Sequence, residues 1–205
     1  MYNYKRTYEK LDKDYRAKRF TSYEDFETYA KEKSRKSLEM QLDTYEKTKI
    51  DDNITRYVFK DKNDNYYILY ETSIMRYTVI LDTYTVDLPE FTEKYNNAED
   101  SEKVLLNIQK VFSAINDGDY RYVYNKLDST FKQNNFPTEA DFENYIKQKL
   151  YEKNSVSCSN YKTSGNLHIY ETSIRNKDDD NSAEKTKNII MQLKEGTDFV
   201  MSFNV

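Results

Sequence analysis

The feature that most constrains the fold of this chain is an internal repeat. Aligned with itself at an offset of 116 residues, the chain places residues 8–33 on residues 124–149 without a gap. Matched positions keep their residue type, as in the pairs Tyr8/Tyr124, Leu11/Leu127, Asp12/Asp128, Phe20/Phe136, Phe26/Phe142 and Tyr29/Tyr145. Self-similarity of this length and order predicts a duplicated module.

A second match lies further along the chain, at an offset of 100. The pentapeptide Tyr70-Glu71-Thr72-Ser73-Ile74 is identical to Tyr170-Glu171-Thr172-Ser173-Ile174. The change of offset from 116 to 100 predicts that the first copy has 16 extra residues before this segment.

Three helices are predicted to open the second copy. Apolar residues recur on one helical face over residues 101–115, and Asn116-Asp117-Gly118-Asp119 then provides a helix stop and a turn. A single second helix is predicted from Tyr120 to Phe131. A third begins at Thr138, which can cap it with Asp141 three residues later, and Ser22 and Asp25 take these places in the first copy.

The periodicity then changes from helical to extended, which predicts four strands in each copy. The candidate strands are residues 38–49, 53–60, 65–75 and 76–86, then 155–162, 166–175, 186–193 and 198–205. Asp61-Lys62-Asn63-Asp64-Asn65 is predicted as a turn, Asp178-Asp179-Asp180-Asn181 as an exposed hairpin loop, and Glu195-Gly196-Thr197-Asp198 as a tight turn.

These elements predict an α+β chain of two modules, residues 1–92 and 98–205, joined near residues 96–100. Met1 matches Asp117, so the counterpart of the 101–115 helix would precede Met1. Because a sheet without its covering helix would expose apolar surface, we expect this chain to be a fragment of a longer protein. We expect a membrane anchor, if the full protein has one, to lie in the segment that precedes Met1.

Composition excludes several classes of function. The 32 basic and 36 acidic residues are well mixed and give a net charge of −4, without the basic stripe of a nucleic-acid-binding protein. The 3 glycines are too far apart for a phosphate-binding loop, and the single cysteine excludes an internal disulfide and a cysteine-type metal site. No stretch has the ~20 apolar residues of a membrane span.

The segments Ile115-Asn116-Asp117-Gly118-Asp119-Tyr120 and Tyr124-Asn125-Lys126-Leu127-Asp128 carry a resemblance to a known fold family. A helix, a short Asp/Gly break and a second helix ahead of four strands resemble the nuclear-transport-factor-2-like, cone-shaped fold. More loosely, tandem copies resemble TcpC-type conjugation scaffolds and membrane-tethered proteins of Gram-positive bacteria. The resemblance implies helices packed on a curved antiparallel sheet, and it assigns no functional residue.

Enzymes of this fold that resemble ketosteroid isomerase use a tyrosine and an aspartate inside the cone. The pocket candidates that this comparison suggests are Tyr124, Tyr145, Tyr170 and His168. His168 is the only histidine, and the matching position in the first copy is Ile68, so a structural or surface role is the simpler interpretation. Aromatic residues at helical spacing are more often core than pocket.

Two further candidates are weaker. Cys158 has no cation beside it in the sequence to stabilise a thiolate, and we interpret it as a plain strand residue. Asp61, Asn63 and Asn65 have the spacing of a calcium loop, but the glycine and the final acid of that motif are replaced by Tyr66 and Thr72. No catalytic, cofactor or metal residue is therefore predicted.

The sequence predicts a non-enzymatic, extracytoplasmic binding or assembly module of a membrane-anchored bacterial protein, with protein partners in the cell envelope. Two modules would offer a long composite surface and binding with avidity. The alternative is a small-molecule-binding or isomerase-like protein that uses the cone. The two functional hypotheses differ in what they require of the cone interior. It is open in a ligand-binding protein and filled by side chains in an assembly module.

Overall fold

The chain forms an α+β structure, which agrees with the predicted fold class at that level. The computed structural model describes residues 3–20, 22–37, 42–61, 66–73, 76–81, 87 and 89–205. Within these residues there are eight helices and two antiparallel four-stranded sheets. The chain divides into two compact units, Met1–Leu88 and Pro89–Val205.

The first unit consists of three helices followed by a sheet with the strand order β1-β2-β3-β4. The helices are α1 (Tyr4–Lys10), α2 (Lys13–Arg19) and α3 (Tyr23–Ser37), and the strands are β1 (Leu42–Lys49), β2 (Thr55–Asp61), β3 (Tyr66–Ser73) and β4 (Arg76–Ile80).

The second unit consists of five helices followed by a sheet with the order β5-β6-β7-β8. Its helices are α4 (Pro89–Asn97), α5 (Asp100–Asp117), α6 (Tyr120–Lys126), α7 (Ser129–Asn135) and α8 (Glu139–Lys149). Its strands are β5 (Asn154–Ser164), β6 (Leu167–Asn176), β7 (Lys185–Leu193) and β8 (Phe199–Phe203).

The helix starts repeat at the offset of 116 seen in the sequence. Asp12 and Asp128 accept hydrogen bonds from the first-turn N–H groups of α2 and α7. Ser22 Oγ accepts from Asp25 N at 3.2 Å, and Thr138 and Asp141 form the reciprocal capping box of α8. The predicted capping residues of the third helix are therefore confirmed in both units.

The prediction of one helix from Tyr120 to Phe131 was wrong, because the chain forms α6 and α7 instead. The break lies at Leu127, which has extended backbone angles and bridges to Met201 of β8. The Asp128 N–H donates to the Met201 carbonyl at 2.8 Å, so a helical hydrogen bond is replaced by one to the sheet. Asp12 makes the same bond to Val79 in the first unit at 2.9 Å.

The described strands agree with the predicted ones to within a few residues. Residues 178–181 form the exposed loop between β6 and β7, and 195–198 form the turn between β7 and β8, as predicted. Residues 62–65 of the predicted first-unit turn, and the ends of the predicted strands at 38–41, 74–75 and 82–86, lie outside the described residues.

The two identical pentapeptides occupy different positions in their sheets. The described part of the first, Tyr70–Ser73, lies on β3, the third strand in order, and the second lies on β6, the second strand in order. The matching backbone hydrogen bonds of Asp12 and Asp128 go to β4 in the first unit and to β8 in the second, so β4 corresponds to β8. The duplication is therefore regular over the helices and the closing strand, but not over the pentapeptide.

Each unit has its own core. In the first unit, buried side chains of the helices and of the residues that end them meet two isoleucines of the sheet, and the members of this cluster are Leu11, Tyr15, Phe20, Phe26, Ile68 and Ile80. In the second unit, α5 contributes an aliphatic stripe that meets buried residues of β6, β7 and β8, among them Ile174, Ile189, Met191 and Met201. Burial of these apolar surfaces is the main stabilising contribution in each unit.

The sequence did not predict helix α4. Its residue Tyr95 is buried and accepts a hydrogen bond from Asn107 Nδ2 of α5 at 3.1 Å. The Phe91 ring of α4 has its centroid 3.9 Å from Lys110 Nζ of α5. α4 thus covers a polar side of α5, and the aliphatic stripe of α5 is left for the sheet.

Candidate functional site

The interior of the second unit, between the helices and the sheet, is almost completely filled. The cavity that remains there has a volume of about 30 Å³, which is room for about one water molecule. It is lined mainly by apolar side chains of α5, α8, β7 and β8, including Val111, Phe112, Phe142, Ile146, Ile189 and Met201.

Of the four pocket candidates, Tyr145 is the one that lines this cavity. Its hydroxyl accepts a hydrogen bond from Lys187 Nζ at 2.7 Å, and its ring lies 5.8 Å from the ring of Phe203. Tyr124 lies outside the cavity lining. Its hydroxyl donates to the backbone carbonyl of Phe136 at 3.1 Å, so it fastens α6 to the chain ahead of α8.

Tyr170 and Cys158 lie on the sheet of the same unit, away from the cavity. Tyr170 is buried, its pKa is raised by that burial, and its hydroxyl donates to the Ser101 carbonyl at 3.3 Å. Cys158 is a residue of β5 whose Sγ lies 3.5 Å from Thr172 Oγ1. Burial raises the pKa of the thiol, although the contact with Thr172 acts in the opposite direction.

The fourth candidate, His168, lines a separate and larger concavity of about 490 Å³, which we call the polar pocket. Three segments of the second unit meet there: the junction of α4 and α5, the β5–β6 turn and the β7–β8 turn. Its lining residues are Tyr95, Asn96, Asp100, Lys103, Gly165, Asn166, His168, Leu193, Lys194 and Gly196.

The His168 ring is held by a neighbouring tyrosine. Its Nδ1 lies 2.7 Å from the Tyr161 hydroxyl, and the two rings are stacked with centroids 6.1 Å apart. Tyr161 in turn lies 4.9 Å from the Tyr170 ring. The pKa of Tyr161 is raised by burial and by the charge of Asp100, so its phenol is neutral at physiological pH.

A third feature lies on the sheet of the first unit. Paired residues of an antiparallel sheet share a face and successive residues alternate, so the pairing of β1, β2 and β3 defines which side chains lie together. Ile68 and Ile80 belong to the core, and the face opposite them carries Tyr45, Lys47, Tyr57 and Phe59. We call these four residues the tyrosine face.

The rings of the tyrosine face form a cluster in which Tyr45 is exposed and Tyr57 and Phe59 are half-buried. Tyr45 is 63% exposed, and its ring centroid lies 5.8 Å from that of Phe59 and 6.4 Å from that of Tyr57. Tyr57 and Phe59 are stacked at 6.2 Å, and Lys47 Nζ lies 5.5 Å from the Tyr57 ring. All eight residues of β1 are exposed.

The corresponding face of the second sheet is polar along its first strand. The core face there carries Tyr170, Thr172 and Ile174, so Ser155, Ser157 and Ser159 of β5 lie on the opposite face. The cluster of Tyr45, Tyr57 and Phe59 therefore has no counterpart at these three serine positions of the second sheet.

No metal centre is found in the part of the chain that is described, since no group of three or more His, Cys, Asp or Glu residues there is arranged to hold an ion. The described helices also include none that is long and apolar enough to cross a membrane.

Compared with protein families, curated proteins and solved structures, the chain matches none of them at a significant level. The residues themselves therefore carry the functional argument.

Proposed function

We propose that this chain is a non-enzymatic binding module that docks a protein partner on the tyrosine face of its first unit. The observation that carries the proposal is the ring cluster of exposed Tyr45 with half-buried Tyr57 and Phe59, beside exposed Lys47. Large apolar side chains grouped on a surface mark interaction sites, and tyrosine is among the residues that contribute most to binding at protein interfaces.

The chemistry of the face favours a protein partner with an apolar contact flanked by a carboxylate. The three rings supply an apolar surface of low conformational entropy, because their neighbours already restrict them. Lys47 is exposed and lies beside Tyr57, where it can meet a carboxylate of the partner. Glu71 accepts a hydrogen bond from the Tyr57 hydroxyl at 3.1 Å and so holds that ring in place.

The filled interior of the second unit supports the non-enzymatic part of the proposal. Ligand pockets typically have volumes of about 300–1,000 Å³, and a cavity of about 30 Å³ has no room for an organic substrate. Tyr145 and Lys187, the polar pair in its lining, bond to each other. The alternative of an isomerase-like protein that uses the cone therefore has less support.

The proposal keeps the placement inferred from the sequence, an extracytoplasmic module held at a bacterial membrane by a segment outside this chain. Resemblance to membrane-tethered proteins of Gram-positive bacteria and to TcpC-type scaffolds supports this placement. Localisation of the full-length protein by cell fractionation tests it independently of binding.

Site-specific photo-crosslinking tests the docking surface. A photoreactive phenylalanine analogue is placed at Tyr45 in one variant and at Ser157, on the polar face of the second sheet, in a matched control. We expect a discrete protein adduct from position 45, identified by mass spectrometry, and none of that identity from position 157. The charge reversal Lys47→Glu should reduce the adduct from position 45 at least fivefold, since it would repel the partner's carboxylate.

Two results would overturn the proposal. One is the absence of any adduct from position 45 at expression levels equal to the control. The other is the same set of adducts, in the same yield, from positions 45 and 157.

A further inference from the structure

The polar pocket of the second unit has the size and the lining of a ligand site that is independent of the tyrosine face. We propose that it binds a small oxyanion group, a phosphate or a carboxylate, through Lys103, Lys194, Asn166 and His168. Its volume of about 490 Å³ lies within the range typical of small-molecule sites.

The charges in the lining favour an anion. Among the lining residues, the two lysines Lys103 and Lys194 are opposed by one carboxylate, Asp100. The whole chain carries −4, so the local excess of cations is not a consequence of a basic chain. In a concave site such an excess concentrates anions more than it would on a flat surface.

The one ion pair in the pocket is weak enough to open. Lys103 Nζ lies 3.4 Å from Asp100 Oδ1, and the two side chains are 26% and 60% exposed. Pairs with this exposure contribute only about 0–1 kcal/mol, so an incoming oxyanion can compete for Lys103.

The start of α5 adds hydrogen-bond donors near Asp100. This helix has 18 residues, and its N-cap Glu99 makes no side-chain hydrogen bond to the first turn. The first N–H groups of a helix have no partner within the helix, and the helix dipole gives them a partial positive charge. They act together with the lysines of the pocket and do not constitute the site alone.

His168 lines the same pocket, and its ring is held by Tyr161. Tyr161 occupies Nδ1 at 2.7 Å, so the ring nitrogen left for a ligand is Nε2. When the Tyr161 hydroxyl donates to Nδ1, a neutral imidazole carries its proton on Nε2 and donates to an oxyanion. The amide of Asn166, in the β5–β6 turn just before the strand that carries His168, supplies a further donor.

Nuclear magnetic resonance titration of the full chain with inorganic phosphate, and separately with acetate, tests the inference. We expect saturable shifts of the backbone signals of Lys103, Asn166, Lys194 and Gly196, with a dissociation constant in the millimolar range. Binding of both probes, or of one alone, supports the site and tells which oxyanion class it accepts.

Three substitutions separate a built site from general electrostatic attraction. Lys194→Gln should weaken binding about tenfold, the effect of losing one charge-assisted hydrogen bond. Asp100→Asn should strengthen it several-fold, a gain that damage to the fold cannot produce. Lys149→Gln, at an exposed position of α8 outside the pocket lining, makes the same charge change as Lys194→Gln and should leave the affinity within twofold.

The inference is overturned if neither probe causes saturable shifts at these residues. It is also overturned if Lys149→Gln weakens binding as much as Lys194→Gln, or if Asp100→Asn leaves the affinity unchanged. These outcomes concern the second unit alone, so they are distinct from failure of the tyrosine face in crosslinking.

Discussion

At the scale of single residues, the cysteine allows a direct test of burial. Cys158 has its pKa raised by burial, with the hydroxyl of Thr172 acting in the opposite direction. Because the thiolate is the reactive form, alkylation by iodoacetamide should be slow at pH 7 and should rise with pH through and beyond about 9. The same chain unfolded in guanidinium serves as the control and should titrate near the ordinary cysteine value.

A half-maximal alkylation rate at or below pH 8 in the folded chain would contradict this placement of Cys158. The variant Thr172→Val removes the hydroxyl that lowers the pKa and should shift the rate profile to still higher pH. The size of that shift separates the contribution of the hydroxyl from that of burial.

A second residue-scale prediction concerns Asp198 in the β7–β8 turn. Burial acts to raise its pKa, but hydrogen bonds from Lys126 and from the Phe199 N–H outweigh it, and the pKa lies below its usual value. A carboxyl group whose pKa is lowered by folding stabilises the fold above its unfolded pKa of about 4 and loses that contribution as the pH falls through the folded value.

Asp198→Asn should therefore lower the free energy of unfolding by about 0.5 kcal/mol at pH 7, the amount expected for a partly exposed pair. Denaturant unfolding at pH 7 and at pH 3 measures the difference, which should become smaller at pH 3. Asp178→Asn in the exposed loop is the matched control. A loss that is equal at both pH values would show that the ion pair is not its cause.

At the scale of elements, the two equivalent helix caps, Asp12 and Asp128, should contribute equally to the free energy of unfolding of their units. Asp12→Ala and Asp128→Ala each remove the carboxylate that accepts from the first turn of α2 or α7. Loss of such a cap costs about 1 kcal/mol, and hydrogen exchange of the helix that follows would show it. The control is Asp14→Ala. Asp14 lies in the first turn of α2, two residues after the cap, and its replacement should have the smaller effect.

The helices and strands were largely predictable from the sequence because their signals are local. Thr138 and Asp141 form the capping box that predicts the start of α8. Gly118, in the left-handed conformation at φ 74°, ends α5. The break at Leu127 was not predictable, because its apolar spacing continues the helical pattern and the competing bond comes from Met201, far along the chain. The identical pentapeptides predicted equivalent strands, which was wrong for the same reason. The position of a strand in a sheet depends on its pairing with other strands and not on its own sequence.

At the scale of the whole molecule, the candidate sites depend on contacts that no local pattern reveals. The polar pocket joins residues near positions 95–103, 165–168 and 193–196, and the sequence offered only His168 as a pointer to it. The tyrosine face depends on the pairing of β1 with β2, which places Tyr45 beside Phe59. Composition indicated an excess of aromatic residues, but the register decides which of them are exposed.

The two units should also respond separately to damage in their cores. Phe26 and Phe142 are equivalent positions of the repeat, and each is fully buried in the core of its own unit. Replacing either by alanine should lower the free energy of unfolding of that unit by about 3–5 kcal/mol, the usual cost of removing a buried ring.

Hydrogen exchange measured by mass spectrometry on the full chain locates the effect of each substitution. We expect Phe142→Ala to reduce protection in α6, α8 and β6 to β8, and Phe26→Ala to reduce it in α1 to α3 and β3. Tyr45→Ala, at an exposed position, is the control and should change stability by no more than about 0.5 kcal/mol. Equal loss of protection in both units from either phenylalanine variant would show that they unfold as one cooperative body, and the repeat would then be a feature of sequence and architecture without independent stability.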